Sequence, residues 1–173
     1  MFRTLMIALA ALTLAACQRQ APVQAQDGPQ GPVAADQSAA SKAFLAQNAK
    51  QPGVVVLKDG LQYRIVHSGP PTGNKPHAQD EVKVNYEGKL VDGTVFDSSY
   101  DRGQPAAMPL NHLVKAWQEA LQLMRPGDEW ILYVPPELGY GAEGQGSIPP
   151  GAVLIFRIEL IDFLPAPGTV QAG

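Results

Sequence analysis

One segment of helical periodicity in this chain has to cover every segment of strand periodicity. Leu113, Val114, Trp117, Ala120, Leu121 and Met124 recur at spacings of three and four and form a single apolar stripe, which Arg125-Pro-Gly-Asp128 stops. Around it, apolar and polar residues alternate through Leu61/Tyr63/Ile65, Val82/Val84/Tyr86, Met108/Leu110, Trp130/Leu132/Val134 and Phe156/Ile158/Leu160. A single short helix cannot cover that many strands laid flat, so the sheet has to curl round it. The expected fold is α+β, an antiparallel sheet of about five strands curled around one short helix and occupying residues 54–164.

The stretch from Val82 to Arg102 organises the rest. Tyr86 falls in phase with Val82 and Val84 and points inward, while Lys83, Asn85 and Glu87 point to solvent. Asp92-Gly93 marks a hairpin turn, because glycine accepts the positive φ that tight turns between twisted strands require. The returning arm carries Phe96 and Asp97 and then a polar loop with Asp101 and Arg102. A carboxylate directly after an aromatic at the end of a core strand needs a reason. The plain reading of Asp97 is a turn cap with Arg102 as its ionic partner, and that of Tyr86, Phe96, Trp117 and Phe156 is ordinary core packing.

Between the last two strands, Pro135 to Gly151 is too long for a hairpin connection, and loops of that length are usually functional. Gly139 to Gly144 matches G-x-G-x-x-G, but Pro149 and Pro150 forbid the helix that a dinucleotide fingerprint needs directly after it. A net charge of −3 gives no basic footprint for nucleic acid. His67, His77 and His112 are scattered without second ligands, so no metal is expected. Ser98 and Ser99 lack the strained elbow of a serine hydrolase.

At the N-terminus, Arg3, an apolar run from Leu5 to Ala16 and then Cys17 have the order of a signal peptide. The run is short for a bilayer span. Leu14-Ala-Ala-Cys17 resembles the bacterial lipobox, which implies a lipoprotein signal peptide over 1–16, cleavage before Cys17 and acylation of that residue, the only cysteine in the chain. Gln18 after the cysteine implies sorting to the outer membrane. Residues 17–36, rich in Gln, Pro, Ala and Gly, are expected to form a flexible tether. A short helix or strap over 37–53 follows, with Phe44 and Leu45 as its apolar anchors and packing on the domain preferred to dimerisation. Residues 165–173 are expected to be a disordered tail.

Four runs carry a more specific signal. Gly88–Tyr100, Trp117–Met124, Pro136–Gly141 and Ile148–Phe156 resemble, in order, motifs of the FKBP-type peptidyl-prolyl cis-trans isomerases, especially the bacterial macrophage-infectivity-potentiator branch. The resemblance covers about Leu61 to Phe163. It implies catalytic roles for Tyr86, Asp97 and Tyr140, and a substrate pocket of Phe96, Val114, Trp117, Ile148 and Phe156 with Trp117 as floor. The Tyr140 hydroxyl and the Ile148 backbone N–H would hold substrate carbonyls.

The activity so implied is rotation about X-Pro bonds in exported proteins, without cofactor; a monomer is expected because the 37–53 helix offers only a thin apolar face. Its partners would be proline-containing peptide segments, macrolide inhibitors and, through lipidated Cys17, the outer membrane on its periplasmic side. The alternative is a non-catalytic lipid-anchored chaperone or adhesion module of the same fold. Ala106, Ala116 and a short Tyr140–Ile148 loop depart from the family pattern and bear on substrate preference and inhibitor affinity.

Overall fold

The computed structural model describes residues 33–168. The proposed signal peptide, Cys17 and nearly all of the tether lie outside them, as does the end of the tail. Helix α1 (Val33–Asn48) begins within the segment expected as tether, because its alanine-rich start continues helix propensity upstream of Asp36. Gly53, at φ +78°, turns the chain out of it. The strands are β1 (Val54–Val56), β2 (Gln62–His67), β3 (Glu81–Leu90), β4 (Val95–Ser98), β5 (Ala106–Pro109), β6 (Glu129–Val134) and β7 (Leu154–Leu164), with α2 (Lys115–Leu121) between β5 and β6.

Seven strands among the described residues, rather than about five, make one antiparallel sheet in the order β1-β2-β6-β7-β3-β4, with β5 also on β3. The additional strands are of three or four residues, too short to show a period in the sequence. The long pair β3 and β7 forms the spine, paired from Glu81↔Leu164 to Leu90↔Leu154 with one register shift between Lys83 and Val84. Val82, Val84 and Tyr86 of β3, Trp130, Leu132 and Val134 of β6, and Phe156, Ile158 and Leu160 of β7 share one face. They bury it against Ala116, Trp117, Ala120 and Leu121 of α2.

Helix α2 is shorter than the apolar stripe. Leu110–His112 forms a 3₁₀ turn, and Leu113 and Val114 are extended at ψ 168° and 151° before the helix starts. Leu110 therefore belongs to this turn and not to β5. The hairpin turn also differs from a two-residue Asp-Gly connection. Gly93 N–H donates to the Leu90 carbonyl and Leu90 N–H to the Thr94 carbonyl, so Val91-Asp92-Gly93 is a three-residue loop whose last residue sits at φ +90°.

Strand β2 reverses one expectation: Gln62 is buried and Ile65 is 47% exposed. The cause is α1, which lies on the outer face of the sheet. Gln62 Nε2 donates to the Leu45 carbonyl and Asn48 Nδ2 donates to Gln62 Oε1, both at 2.9 Å, so a polar residue is sealed under the helix with its amide satisfied. Phe44 meets Tyr133 at 6.2 Å between ring centroids, and Ser41 Oγ donates to Gly151 O at 2.7 Å. Tyr63, in phase with Ile65, stacks on Trp130 at 4.3 Å.

Candidate active site

At the open end of the curled sheet is a cavity of about 570 Å³ lined by Tyr86, Phe96, Asp97, Val114, Trp117, Tyr140, Ile148 and Phe156. All eight pocket positions named from the sequence are brought together there. Met108, His112, Leu113 and the loop residues Gln145, Gly146 and Ser147 complete the lining. Met108 and Leu113 belong to the strand and helix patterns of the sequence, which do not mark them for the cavity, and His112, Gln145, Gly146 and Ser147 belong to none; all six arrive at the rim because β5, the 3₁₀ turn and the long loop end there.

The floor is aromatic. The ring of Trp117 meets Tyr86 edge-on at 5.1 Å and Phe156 at 5.2 Å, and Phe156 meets Phe96 edge-on at 5.6 Å. Such T-shaped pairs each add about 0.5–1.5 kcal/mol beyond their buried area. They also fix the ring planes, which gives the cavity a stiff apolar wall. The Trp117 Nε1–H is buried without an acceptor among the described residues.

Phe96 and Asp97 are consecutive, so a regular strand would send them to opposite faces. Both line the cavity because β4 is bulged: Gly88 pairs with Asp97 but Lys89 pairs with Val95, leaving Phe96 as the extra residue. Bulges re-aim side chains in this way next to functional sites.

The polar edge is a closed network of three side chains. Tyr86 Oη donates to Asp97 Oδ2, Arg102 Nη1 donates to Asp97 Oδ1, and Arg102 Nη2 donates to Tyr86 Oη at 2.9 Å. The guanidinium also lies 5.4 Å from the Tyr86 ring centroid. Burial works against the Asp97 charge, but the hydrogen bonds from Tyr86 and Arg102, together with the guanidinium charge, outweigh it and hold the carboxyl below its usual value. Burial, and then the hydrogen bond to Asp97, push the Tyr86 phenol up; burial and the Asp97 charge do the same to Tyr140. At neutral pH the site therefore holds one paired carboxylate and two neutral phenols.

Ser99, weighed from the sequence only as a nucleophile, supports the site from beneath. It is fully buried; its Oγ accepts the Tyr86 N–H at 2.8 Å, and its own N–H donates to Tyr86 O at 2.9 Å. It thus fixes the backbone that carries Tyr86 beyond the end of the β4 ladder. The repeated Ser-Ser after a strand end was the available signal, since a buried hydroxyl must be bonded. The buried acids Asp80 and Asp128 do not line the cavity; they accept loop backbone N–H groups and have structural roles.

One expected role needs correction. The Ile148 N–H donates to Gln145 O at 2.9 Å, and the Gln145 N–H returns the bond to Ile148 O at 3.0 Å. This tight loop uses up the amide expected to hold a substrate carbonyl. Val114, extended just before α2, also lines the cavity, and among the described residues its N–H has no backbone acceptor.

The model of the family described as FKBP-type peptidyl-prolyl cis-trans isomerase matches residues 72–161, and that of the domain amino-terminal to it matches 8–65. The chain is 54% identical over 122 residues to the peptidyl-prolyl cis-trans isomerase Mip of Coxiella burnetii, covering 70% of this chain and 52% of that protein. It is 46% identical over 129 residues to the outer membrane protein MIP of Legionella longbeachae, covering 74% and 54%. The crystal structure of a peptidyl-prolyl cis-trans isomerase from Pseudomonas syringae pv. tomato superposes with a TM-score of 0.71 at 39% identity, over 80% of this chain and 100% of that one. The chain spans about half the length of the two curated relatives.

Proposed function

Because the chain belongs to the FKBP-type peptidyl-prolyl cis-trans isomerase family, we propose that it catalyses cis-trans rotation about X-Pro bonds in proline-containing segments of exported proteins. The observation that carries this is the cavity itself: aromatic walls with a single paired carboxylate at the edge. Rotation about an X-Pro bond breaks amide resonance, a barrier of about 18–20 kcal/mol, and moves no proton. The planar amide has a strongly polarised carbonyl, whereas the twisted one has lost conjugation. A site that strips water from the bond favours the twisted form.

In this reading Phe96, Trp117 and Phe156 receive the proline ring, with Val114 and Ile148 as apolar flanks. Tyr140 offers its neutral hydroxyl to a carbonyl of the bound peptide. Val114 N–H takes the role first given to Ile148 N–H, since the latter is already donated within its loop. Tyr86 and Asp97 hold the polar edge beside the twisting carbonyl, and Arg102 keeps that edge charged. A reduction of about 4 kcal/mol in the barrier corresponds to roughly a thousandfold in rate.

We assign the protein to the bacterial envelope, a reading supported by the name of the Legionella relative. Its finer form is an outer-membrane lipoprotein anchored through acylated Cys17, facing the periplasm and carrying the domain at 54–164 on a tether. Macrolide binding in the same cavity is part of this reading.

The test is a proline-peptide assay coupled to a protease that cleaves only the trans form. Acceleration that saturates with peptide and falls in Asp97→Asn supports the isomerase. An uncatalysed rate at micromolar protein that still binds unfolded chains would leave the non-catalytic chaperone or adhesion module.

A further inference from the structure

We propose that Gly88 is a positioning residue of this pocket: by carrying no side chain it lets the bulged Phe96 ring lie over β3 against Phe156, and so sets the spacing of the aromatic wall. The inference deepens the isomerase reading and rests on it.

Gly88 is buried and falls in the inward phase of β3, two residues beyond Tyr86. Its backbone is flanked on both sides, by Asp97 of β4 and Phe156 of β7. A Cβ placed there would stand 2.7 Å from both Cε2 and Cζ of Phe96 and 2.8 Å from Cε1 of Phe156. The two rings occupy the space that any other residue's side chain would take. Strand conformation does not call for glycine here, since Gly88 is not among the glycines with positive φ. The need is for space alone.

What gives way on substitution decides what is lost. A Cβ at Gly69 would meet Pro126 O at 2.5 Å and one at Gly144 would meet Ile148 O at 2.2 Å, so a change at either forces the backbone. At Gly88 the opposing atoms are the far ends of two side chains. The rings can swing away while β3, β4 and β7 keep their ladder. The cost then falls on the cavity, where edge-to-face contact of Phe96 and Phe156 is broken and the bulge no longer aims Phe96 at the proline site.

The test uses Gly88→Ala in the full chain, alone and combined with Phe96→Leu. Leucine lacks both Phe96 atoms that oppose the new methyl, and it leaves Phe156 room to move. Gly88→Ala alone should shift the Phe96 ring resonances in NMR spectra while the Tyr63 and Trp130 resonances stay in place. It should also raise KM by about tenfold with a smaller change in kcat, as expected for a misplaced binding wall. In the Phe96→Leu background the same change should alter KM by less than about twofold, because coupled positions are not additive.

Equal effects in the two backgrounds, or unmoved Phe96 resonances, would overturn the inference. Should Gly88→Ala alone fail to fold, a folded double variant supports it and an unfolded one overturns it. A wild-type chain without turnover sinks the isomerase reading instead, and the ring resonances then decide on Gly88 by themselves.

Discussion

The two walls of the cavity are held in different ways. On the hairpin side, Tyr86, Phe96 and Asp97 are fixed by a strand ladder, a bulge, the Ser99 clamp on the Tyr86 backbone and the Arg102 fork, so side chains add to what the ladder holds. On the loop side, Tyr140 and Ile148 ride on a chain of backbone turns. Gly144 N–H donates to Tyr140 O, Gly151 N–H to Gly141 O, and Gln145 and Ile148 exchange bonds. Gly141, Gly144, Gly146 and Gly151 all sit at positive φ there. The difference teaches where each wall is vulnerable: the hairpin to loss of a functional group or of the ring clearance at Gly88, the loop to a methyl that forces its backbone.

The largest effect should come from the residue beneath both walls. Trp117→Ala removes the floor and its edge contacts with Tyr86 and Phe156, and should cost about 3–5 kcal/mol. Calorimetry should show Tm falling by on the order of 10 °C, with turnover lost. A small change in Tm would mean that the walls stand without a common floor.

On the loop side, Gly144→Ala combines φ +69° with a Cβ 2.2 Å from Ile148 O. Strain of about 1–3 kcal/mol should lower Tm and reduce kcat/KM together. Gly146, at φ +57° with open space around its Cβ, is the control and should cost less. Equal costs at the two positions would remove the Gln145–Ile148 turn as the support of that wall.

On the hairpin side, Asp97→Asn should lower kcat/KM by roughly tenfold, or about 1.4 kcal/mol, with a smaller change in Tm. The carboxyl is held below its ordinary value, so its stabilising contribution is present above the unfolded-state value and is lost as pH falls through the folded one. Wild-type kcat/KM should therefore be flat from about pH 6 to 8, a range clear of the titration of Asp97, the carboxylate at the cavity edge. A bell-shaped profile inside that range that vanishes in Asp97→Asn would show proton transfer and end the desolvation account.

The smallest effect lies outside both walls. A side-chain hydrogen bond with Asp59, then burial, raises the Glu119 carboxyl from 4.5 to about 7. A carboxyl raised in the folded state binds its proton more tightly there than when unfolded, so stability declines as pH rises from about 4.5 to about 7. Glu119→Gln should flatten the Tm profile over that window and leave kcat/KM unchanged. An identical slope in the variant would place the titrating group elsewhere.

How much of this was legible in the sequence follows from what each device is made of. The alternation of Val82, Val84 and Tyr86 and the helical spacing from Trp117 to Leu121 are properties of single segments, and the α+β fold could be read from them. Gln62 was misread because its burial depends on α1, a distant element that supplies its hydrogen bonds. The bulge at Phe96 was invisible because it belongs to a strand pair. Ile148 kept an amide on paper that a turn of two further residues consumes. The clearance at Gly88 needs three strands at once, so no local pattern announces it.

Strand β7 is the last of the described strands in sequence yet lies between β6 and β3. Until it arrives, β1-β2-β6 and β4-β3-β5 are separate pieces with open edges, joined only by pairings as distant as Tyr86 with Ile158. Closing such long loops is entropically slow, and folding rate falls as sequence separation grows. A chain delivered N-terminus first has neither a continuous sheet nor the Phe156 side of its cavity until Leu164 is free. Completion of the sheet and of the cavity therefore waits on the strand that is made last among those described.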